Sequence, residues 1–214
     1  GSGPAGLASA AQLNKAGHLV TVFEREDRPG GLLTYGIPDV KLAYTIVDRR
    51  ITLLKEEGIV FRTNVEVGVD VTAEELDREF DAIILATGAT MPRDVDQEGR
   101  ELSGIHYAMD FLTANTKSLL NSNHQDANYI SAKDKDVIVI GGGDTGADCI
   151  TTSIRHGARS GTQFDINEQK QTIRHIDNPW PLFPNIYSEE DAHKEAKAVY
   201  GRDPRSYKLQ TAKF

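Results

Sequence analysis

Asp136-Val137-Ile138-Val139-Ile140-Gly141-Gly142-Gly143-Asp144-Thr145-Gly146 decides the fold of this 214-residue chain. Five residues dominated by Val and Ile predict a buried β-strand, and they run without a linker into the pattern G-x-G-x-x-G. Behind the glycines Ala147, Ile150 and Ile154 recur at spacings of three and four, and Gly157 supplies a stop, so a helix follows. In a strand–turn–helix unit of this kind the first glycine makes the tight turn. The second lets backbone approach a pyrophosphate. A further strand is predicted at 161–166. It carries Asp165, 19 residues past Gly146, where an acid meets the ribose of an adenine nucleotide.

The same pattern stands 140 residues earlier, at Gly1-Ser2-Gly3-Pro4-Ala5-Gly6. Leu7, Ala10, Ala11 and Leu13 give the helix behind it a small apolar face, and Gly17 is its predicted cap. Leu19-Val20-Thr21-Val22-Phe23 then reads as a short buried strand and delivers Glu24, 18 residues after Gly6, as the first ribose acid. No strand precedes this copy within the sequence.

Between the motifs, apolar residues at Ala43, Ile46, Val47, Ile51 and Leu54 predict a helix over 41–57, and Ile59-Val60-Phe61 a strand. Val65 and Val67 suggest another short strand, Thr72 to Glu75 a capping box that opens a helix through Phe80, and Ala82-Ile83-Ile84-Leu85 a buried strand ending at Ala86-Thr87-Gly88. The stretch 90–135 is less regular, with a surface loop at 121–128. Past the second motif, three prolines in 178–184 forbid a helix. Ser188 is read as the cap of a helix running to Tyr200, Gly201 as its stop, and 208–211 as a strand. Strands alternating with helices make the class α/β, with two Rossmann-like dinucleotide-binding domains on mostly parallel sheets, at 1–95 and 96–214.

Composition narrows the function. A net charge of −8 argues against nucleic acid or an anionic membrane as the main partner, and no stretch approaches the ~18 apolar residues of a membrane span. One cysteine, Cys149, excludes an intramolecular disulfide or an all-cysteine iron–sulfur site within these residues and suits a reducing, cytoplasmic setting. Cys149 reads as core, and the six histidines, spaced unlike metal ligands, as surface or capping residues. Trp180 reads equally as a ligand cover or partner contact and as packing for an irregular loop. Two dinucleotide sites in one chain have a joint use: one holds a flavin, the other admits a nicotinamide nucleotide that passes it a hydride, and no catalytic acid, base or nucleophile is required.

The two glycine motifs, Glu24, Arg28-Pro29-Gly30-Gly31-Leu32-Leu33, Tyr35-Gly36-Ile37-Pro38, Ala86-Thr87-Gly88-Ala89, Gly99-Arg100-Glu101-Leu102, Asn178-Pro179-Trp180-Pro181 and Gly201-Arg202-Asp203-Pro204-Arg205 together resemble the small (beta) subunit family of glutamate synthase. Modules of dihydropyrimidine dehydrogenase and adrenodoxin reductase share that architecture. The resemblance implies FAD on Ala5, Glu24, Leu32 and Val67 with the turn at Gly88 beside it, and NAD(P)H on Gly142, Gly143, Asp144 and Thr145; the glycine motifs themselves add Gly1, Gly3 and Gly6 to the first site and Gly141, Gly146 and Asp165 to the second. It implies electrons leaving through iron–sulfur clusters outside this chain to a large (alpha) subunit that forms glutamate. Against the family the FAD domain is incomplete and the NAD(P) domain ends early, so the chain is expected to be a piece of a longer protein. Asp165, followed by Asn167-Glu168-Gln169, favours NADH over NADPH, with Lys170 and Arg174 as alternative phosphate partners. Two other functions fit the same residues. One is a non-catalytic nucleotide-binding or assembly fragment. The other is a flavin reductase serving a ferredoxin or a pyrimidine.

Overall fold

A computed structural model describes residues 1–214, which divide into two compact units: Gly1–Pro92 with Thr116–Asn123, and Arg93–Asn115 with His124–Phe214. The first unit opens on helix α1 (Pro4–Lys15), with Pro4 at a first-turn position where its missing N–H costs nothing. Gly17 ends it at φ +93°. Strand β1 (Thr21–Phe23) follows, then the four-residue α2 (Leu32–Tyr35), α3 (Tyr44–Glu56), β2 (Val60–Arg62) and α4 (Ala73–Glu79). β1 and β2 pair in parallel, Val22 opposite Phe61. Their core is built from both helices: Leu7, Ala10 and Ala11 of α1 meet Val47, Ile51 and Leu54 of α3 around Val22 and Ile59. The predicted stripe of α3 holds except at Ile46, which faces solvent. Thr72 and Glu75 form the expected capping box of α4.

Two strand predictions in this unit fail. Residues 82–85 form no ladder, and Ile83, Ile84 and Leu85 are exposed. An apolar run becomes a strand only when it hydrogen-bonds to a partner edge, and 82–85 pairs with neither edge of the two-stranded β1–β2 sheet. Val65 is in no strand, and Val67 makes only an isolated bridge to Val71.

Helix α5 (Ala108–Ser122), which sequence periodicity missed, begins with residues of the second unit and ends with residues of the first. Its buried positions are Leu112, Asn115, Thr116 and Ser118, so the inward face is mostly polar and leaves no apolar stripe to read. The second unit then runs β3 (Asp136–Ile140), α6 (Asp144–Arg155), β4 (Ser160–Phe164), α7 (Asp191–Tyr200) and β5 (Arg205–Ser206). Its sheet has the order β3-β4-β5, all parallel, with Ile138 opposite Thr162 and Gln163 opposite Arg205. Two boundaries move from their predicted places. The cap of α7 is Glu190, whose backbone N–H meets the third-position His193, while the Ser188 carbonyl accepts a bond from Arg205. The last strand is 205–206 rather than 208–211, because Lys208 turns into the left-handed region at φ +57°. Gly201 ends α7 at φ +72°, as expected. No helix is long and apolar enough to cross a membrane.

Candidate functional site

Both helices that follow a glycine turn begin alike. Gly3 is the N-cap of α1 at φ −66°, ψ −177°, and Gly143 the N-cap of α6 at φ −88°, ψ −178°. Neither cap contributes a side-chain bond to the first-turn amides, which leaves the helix N-termini with donors to offer. A Cβ on Gly6 would lie 2.0 Å from the Gly1 carbonyl oxygen, and one on Gly146 2.3 Å from that of Gly141. A Cβ on Gly3 or Gly143 would meet nothing within 4 Å. The third glycine of each motif is therefore demanded by the turn itself. The second faces open space, where a side chain would stand between the backbone and an approaching pyrophosphate, so both turns fit that group.

The first turn is locked by a buried carboxylate. Glu24 follows β1, as predicted, but its side chain points at the turn: Oε2 accepts from the Ser2 amide at 3.0 Å and the Ser2 hydroxyl at 2.5 Å, and Oε1 from the Glu26 amide at 3.0 Å. Burial alone would raise its pKa, but the bonds from Ser2 and Glu26 outweigh that and hold it below the usual carboxylate range. Ser2 Oγ also accepts from the Gly30 amide at 2.9 Å. That bond ties in the loop in which Gly30 (φ +121°) and Gly31 (φ +55°) take left-handed backbone, and a Cβ on Gly31 would come 2.9 Å from the Gly3 Cα. Gly1 is packed against the Ala86 carbonyl, so the 86–88 turn lies beside the motif, with Gly88 at φ +71° facing open space. Ala5 is exposed on α1, Leu32 opens α2 half exposed, and Val67 is exposed in its bridge. Around this loop Arg28 donates to Asp27, Tyr35 and Asn121, and Lys117 to Glu26 at 2.6 Å. Burial and the bond to Asp27 push the Tyr35 phenol above its ordinary range.

In the second unit the turn 141–143 and the first two residues of α6 are exposed and Gly146 is buried behind them. Asp165 follows β4 directly and lies over the turn, since a Cβ on Gly142 would sit 2.0 Å from Asp165 Oδ2. Its Oδ1 accepts from the backbone and side-chain nitrogens of Asn167, both at 2.9 Å. The predicted set 141–146 and Asp165 is thus contiguous. Cys149 is buried on α6, and burial, with Asp148 beside it, pushes its thiol up to about 12, so it is packing and not a thiolate.

Sequence reasoning missed Ser2, Gln163 and His193 as contributors. Gln163 is wholly buried, and its carboxamide nitrogen donates to the Gly141 carbonyl at 2.9 Å and lies 3.5 Å from that of Gly143. His193 is buried too and meets Gln163 Oε1 at 3.0 Å. The only sequence signal for Gln163 is an amide in a strand position that faces inward.

Residues 1–181 match the family model described as pyridine nucleotide-disulphide oxidoreductase. The chain is similar to the glutamate synthase (NADPH) small chain of Bacillus subtilis (strain 168), 60% identical over 214 residues, which are 100% of this chain and 43% of that protein. It is similar to the glutamate synthase (NADH) of Schizosaccharomyces pombe (strain 972 / ATCC 24843), 55% identical over 216 residues, 100% of this chain and 10% of that protein. Among solved structures it is similar to Mycobacterium tuberculosis FprA in complex with NADPH, with a TM-score of 0.64 and 25% identity, covering 79% of this chain and 42% of that one. The chain thus spans less than half the length of each of these relatives.

Proposed function

This chain belongs to the pyridine nucleotide-disulphide oxidoreductase family, and on that premise we propose that it is the electron-entry part of a glutamate synthase, with FAD on the first glycine turn and a nicotinamide nucleotide on the second. The observation that carries the reading is the repeated turn: twice the third glycine closes on the first carbonyl, and twice the second glycine faces open space at an uncapped helix N-terminus. When bound, the nicotinamide nucleotide supplies a hydride and the flavin accepts it. The chain's own residues bind and orient. Gly1, Gly3, Ala5 and Gly6 take the flavin pyrophosphate, with Leu32, Val67 and Gly88 along the rest of the cofactor. Glu24 has three of its roughly four acceptor positions filled by amides and the Ser2 hydroxyl, which leaves one for a ribose hydroxyl. Gly141, Gly142, Gly143, Asp144, Thr145 and Gly146 take the second pyrophosphate on the N-terminus of α6. No side chain is assigned a proton or a nucleophilic role; placement is the whole task.

Asp165 favours NADH within this reading. Its carboxylate lies over Gly142 at the end of β4, where it accepts a free ribose 2′-hydroxyl and repels a 2′-phosphate. The similar proteins named above include both NADPH and NADH types. The electrons then pass to iron–sulfur clusters outside these residues and to a large subunit that forms glutamate, in the cytoplasm.

The test is a visible spectrum of the purified chain with FAD, followed by anaerobic titration with NADH and separately with NADPH. A retained flavin band bleached at lower NADH than NADPH is the expected result. Nucleotide binding without reduction of the flavin overturns the electron-entry reading and leaves a non-catalytic nucleotide-binding or assembly fragment, and a chain that holds neither nucleotide overturns the assignment of both turns.

A further inference from the structure

We propose that Gln163 and His193 form a buried positioning relay that aims the second glycine turn at its ligand, an inference that rests on the reading of that turn as the nicotinamide-nucleotide site. The chain of hydrogen bonds starts at the cap of α7. The Glu190 backbone N–H donates to His193 Nδ1 at 3.2 Å, and a ring nitrogen that accepts carries no hydrogen, so the hydrogen of the neutral imidazole is on Nε2. Nε2 therefore donates to Gln163 Oε1 at 3.0 Å, and this fixes which end of the carboxamide faces which way. The NH2 end is left pointing at the turn. It donates to the Gly141 carbonyl at 2.9 Å, and the Gly143 carbonyl lies 3.5 Å away.

Holding those carbonyls has a consequence on the opposite side of each peptide. In a planar trans peptide the C=O and the N–H of the next residue point in opposite directions. A Gly141 carbonyl drawn inward to Gln163 turns the Gly142 N–H outward, and the Gly143 carbonyl, held by the Ala147 amide of α6 at 3.1 Å with Gln163 at the margin, does the same for the Asp144 N–H. These are two donors that a pyrophosphate at this turn needs. The third glycine of the motif gains a second purpose here. A Cβ on Gly146 would lie 2.6 Å from Gln163 Nε2 as well as 2.3 Å from the Gly141 oxygen, so the missing side chain is the space the carboxamide occupies. Gln163 is 0% and His193 4% exposed, so water does not compete for these bonds. The first turn has no counterpart: Ser2 and Glu24 hold its amides and the Gly30 loop, not its carbonyls.

The experiment uses the whole chain with Gln163→Met, which keeps length and volume but removes both donor and acceptor, and His193→Phe, which leaves the carboxamide in place but free to turn over. NADH and ADP-ribose are the probes, read by calorimetry and by the 15N–1H signals of Gly142 and Asp144, with FAD binding to the first turn as the internal control. Q163M is expected to weaken both probes at least tenfold and to abolish the ligand-induced shift at Gly142, with a smaller loss at Asp144, whose peptide the Ala147 amide still holds. H193F is expected to weaken binding about threefold, and both variants to bind FAD as the parent does. Parent-like NADH affinity in folded Q163M, or equal losses of NADH and FAD, would overturn the relay. If Q163M does not fold, H193F decides alone: parent-like probe affinity overturns the proposal, and a selective loss supports it. A parent chain that binds neither probe instead removes the nucleotide reading on which the relay depends.

Discussion

The two glycine turns of this molecule share one backbone and are held by different chemistry. In each the third glycine sits against the first carbonyl, at 2.0 and 2.3 Å from a hypothetical Cβ, and the second glycine caps a helix. The first turn is secured by an ion, the Glu24 carboxylate bonded to Ser2 and Glu26. The second is secured by neutral groups, a carboxamide and an imidazole. The motif thus dictates the shape of the turn and says nothing about its fastening. Each fold supplies that from residues distant in sequence, and the two fastenings respond differently to substitution and to acid.

The largest expected effects fall where the turns agree. Gly6→Ala and Gly146→Ala each drive a Cβ into a backbone carbonyl that no side-chain rotation relieves, and the cost is about 3 kcal/mol or more, the upper end for overpacking. Gly3→Ala and Gly143→Ala meet no atom and keep an extended backbone, so denaturant midpoints should shift by less than about 1 kcal/mol while nucleotide affinity falls. Urea unfolding and nucleotide titration on the four variants sort the two glycine roles. Equal destabilisation by G143A and G146A would erase the distinction between a glycine the turn requires and one the ligand requires.

Next in size is the ionic fastening. Ser2→Ala removes a donor from the buried Glu24 carboxylate and the acceptor of the Gly30 amide. A buried bond to a charged group is worth about 1.5–3 kcal/mol, so a loss of about 2 kcal/mol is expected in the first unit. The second unit should be unaffected. Amide exchange distinguishes them: Val22 on β1 should exchange faster in S2A and Val139 on β3 at the parent rate.

Acid should separate the units by pH window. Burial pushes His193 down to about 4, helped by Arg205 and Lys197 and opposed by Asp203 and Glu189. Burial, with His124 nearby, does the same to His156. Both folded values lie below the unfolded value of about 6.5, so the unfolded chain takes up these protons first. Stability is whole above pH 6.5 and falls between about 6.5 and 4, by at most about 1.4 kcal/mol per pH unit for each histidine. Glu24 also has a depressed folded value, but its contribution is present above the ordinary Glu range and is lost only below it. Protection factors, which are exchange rates referred to the intrinsic rate at each pH, should therefore fall in the second unit from pH 6.5 downward while those around β1 hold until below about pH 4.5. His156→Asn with His193→Asn should flatten the first of these slopes. An unchanged slope would place the acid-sensitive groups elsewhere.

What could be read in advance follows the range of the interactions. Strand, turn and helix around 141–146, the stop at Gly201 and the box at Thr72 are local patterns and all are present, but β3 is not the buried strand its Val and Ile predict: it is an edge strand with Ile138 and Ile140 exposed. The fastenings were not legible, because Ser2 and Glu24 are 22 residues apart and Gln163 and His193 30, and a lone Ser or Gln carries no periodic signal. Helix α5 was hidden for a related reason: Asn115, Thr116 and Ser118 are buried on it, and polar burial defeats a hydrophobic stripe.

Residues 82–85 mark the opposite error, a strong local signal without a tertiary partner, and they yield the smallest expected effect. Leu54 on α3 is 0% exposed within the first core, and Leu54→Ala should cost 2–5 kcal/mol, roughly the range for emptying a leucine-sized site. Leu85 is 83% exposed and joins no ladder, so Leu85→Ser should change the stability of this chain by less than about 0.5 kcal/mol, although sequence alone ranks it a core strand residue. Denaturant unfolding of the two variants side by side checks the contrast. A loss at Leu85 that rivals Leu54 would mean that residues 82–85 bury against a strand edge in solution, and the strand reading of that segment would then be restored.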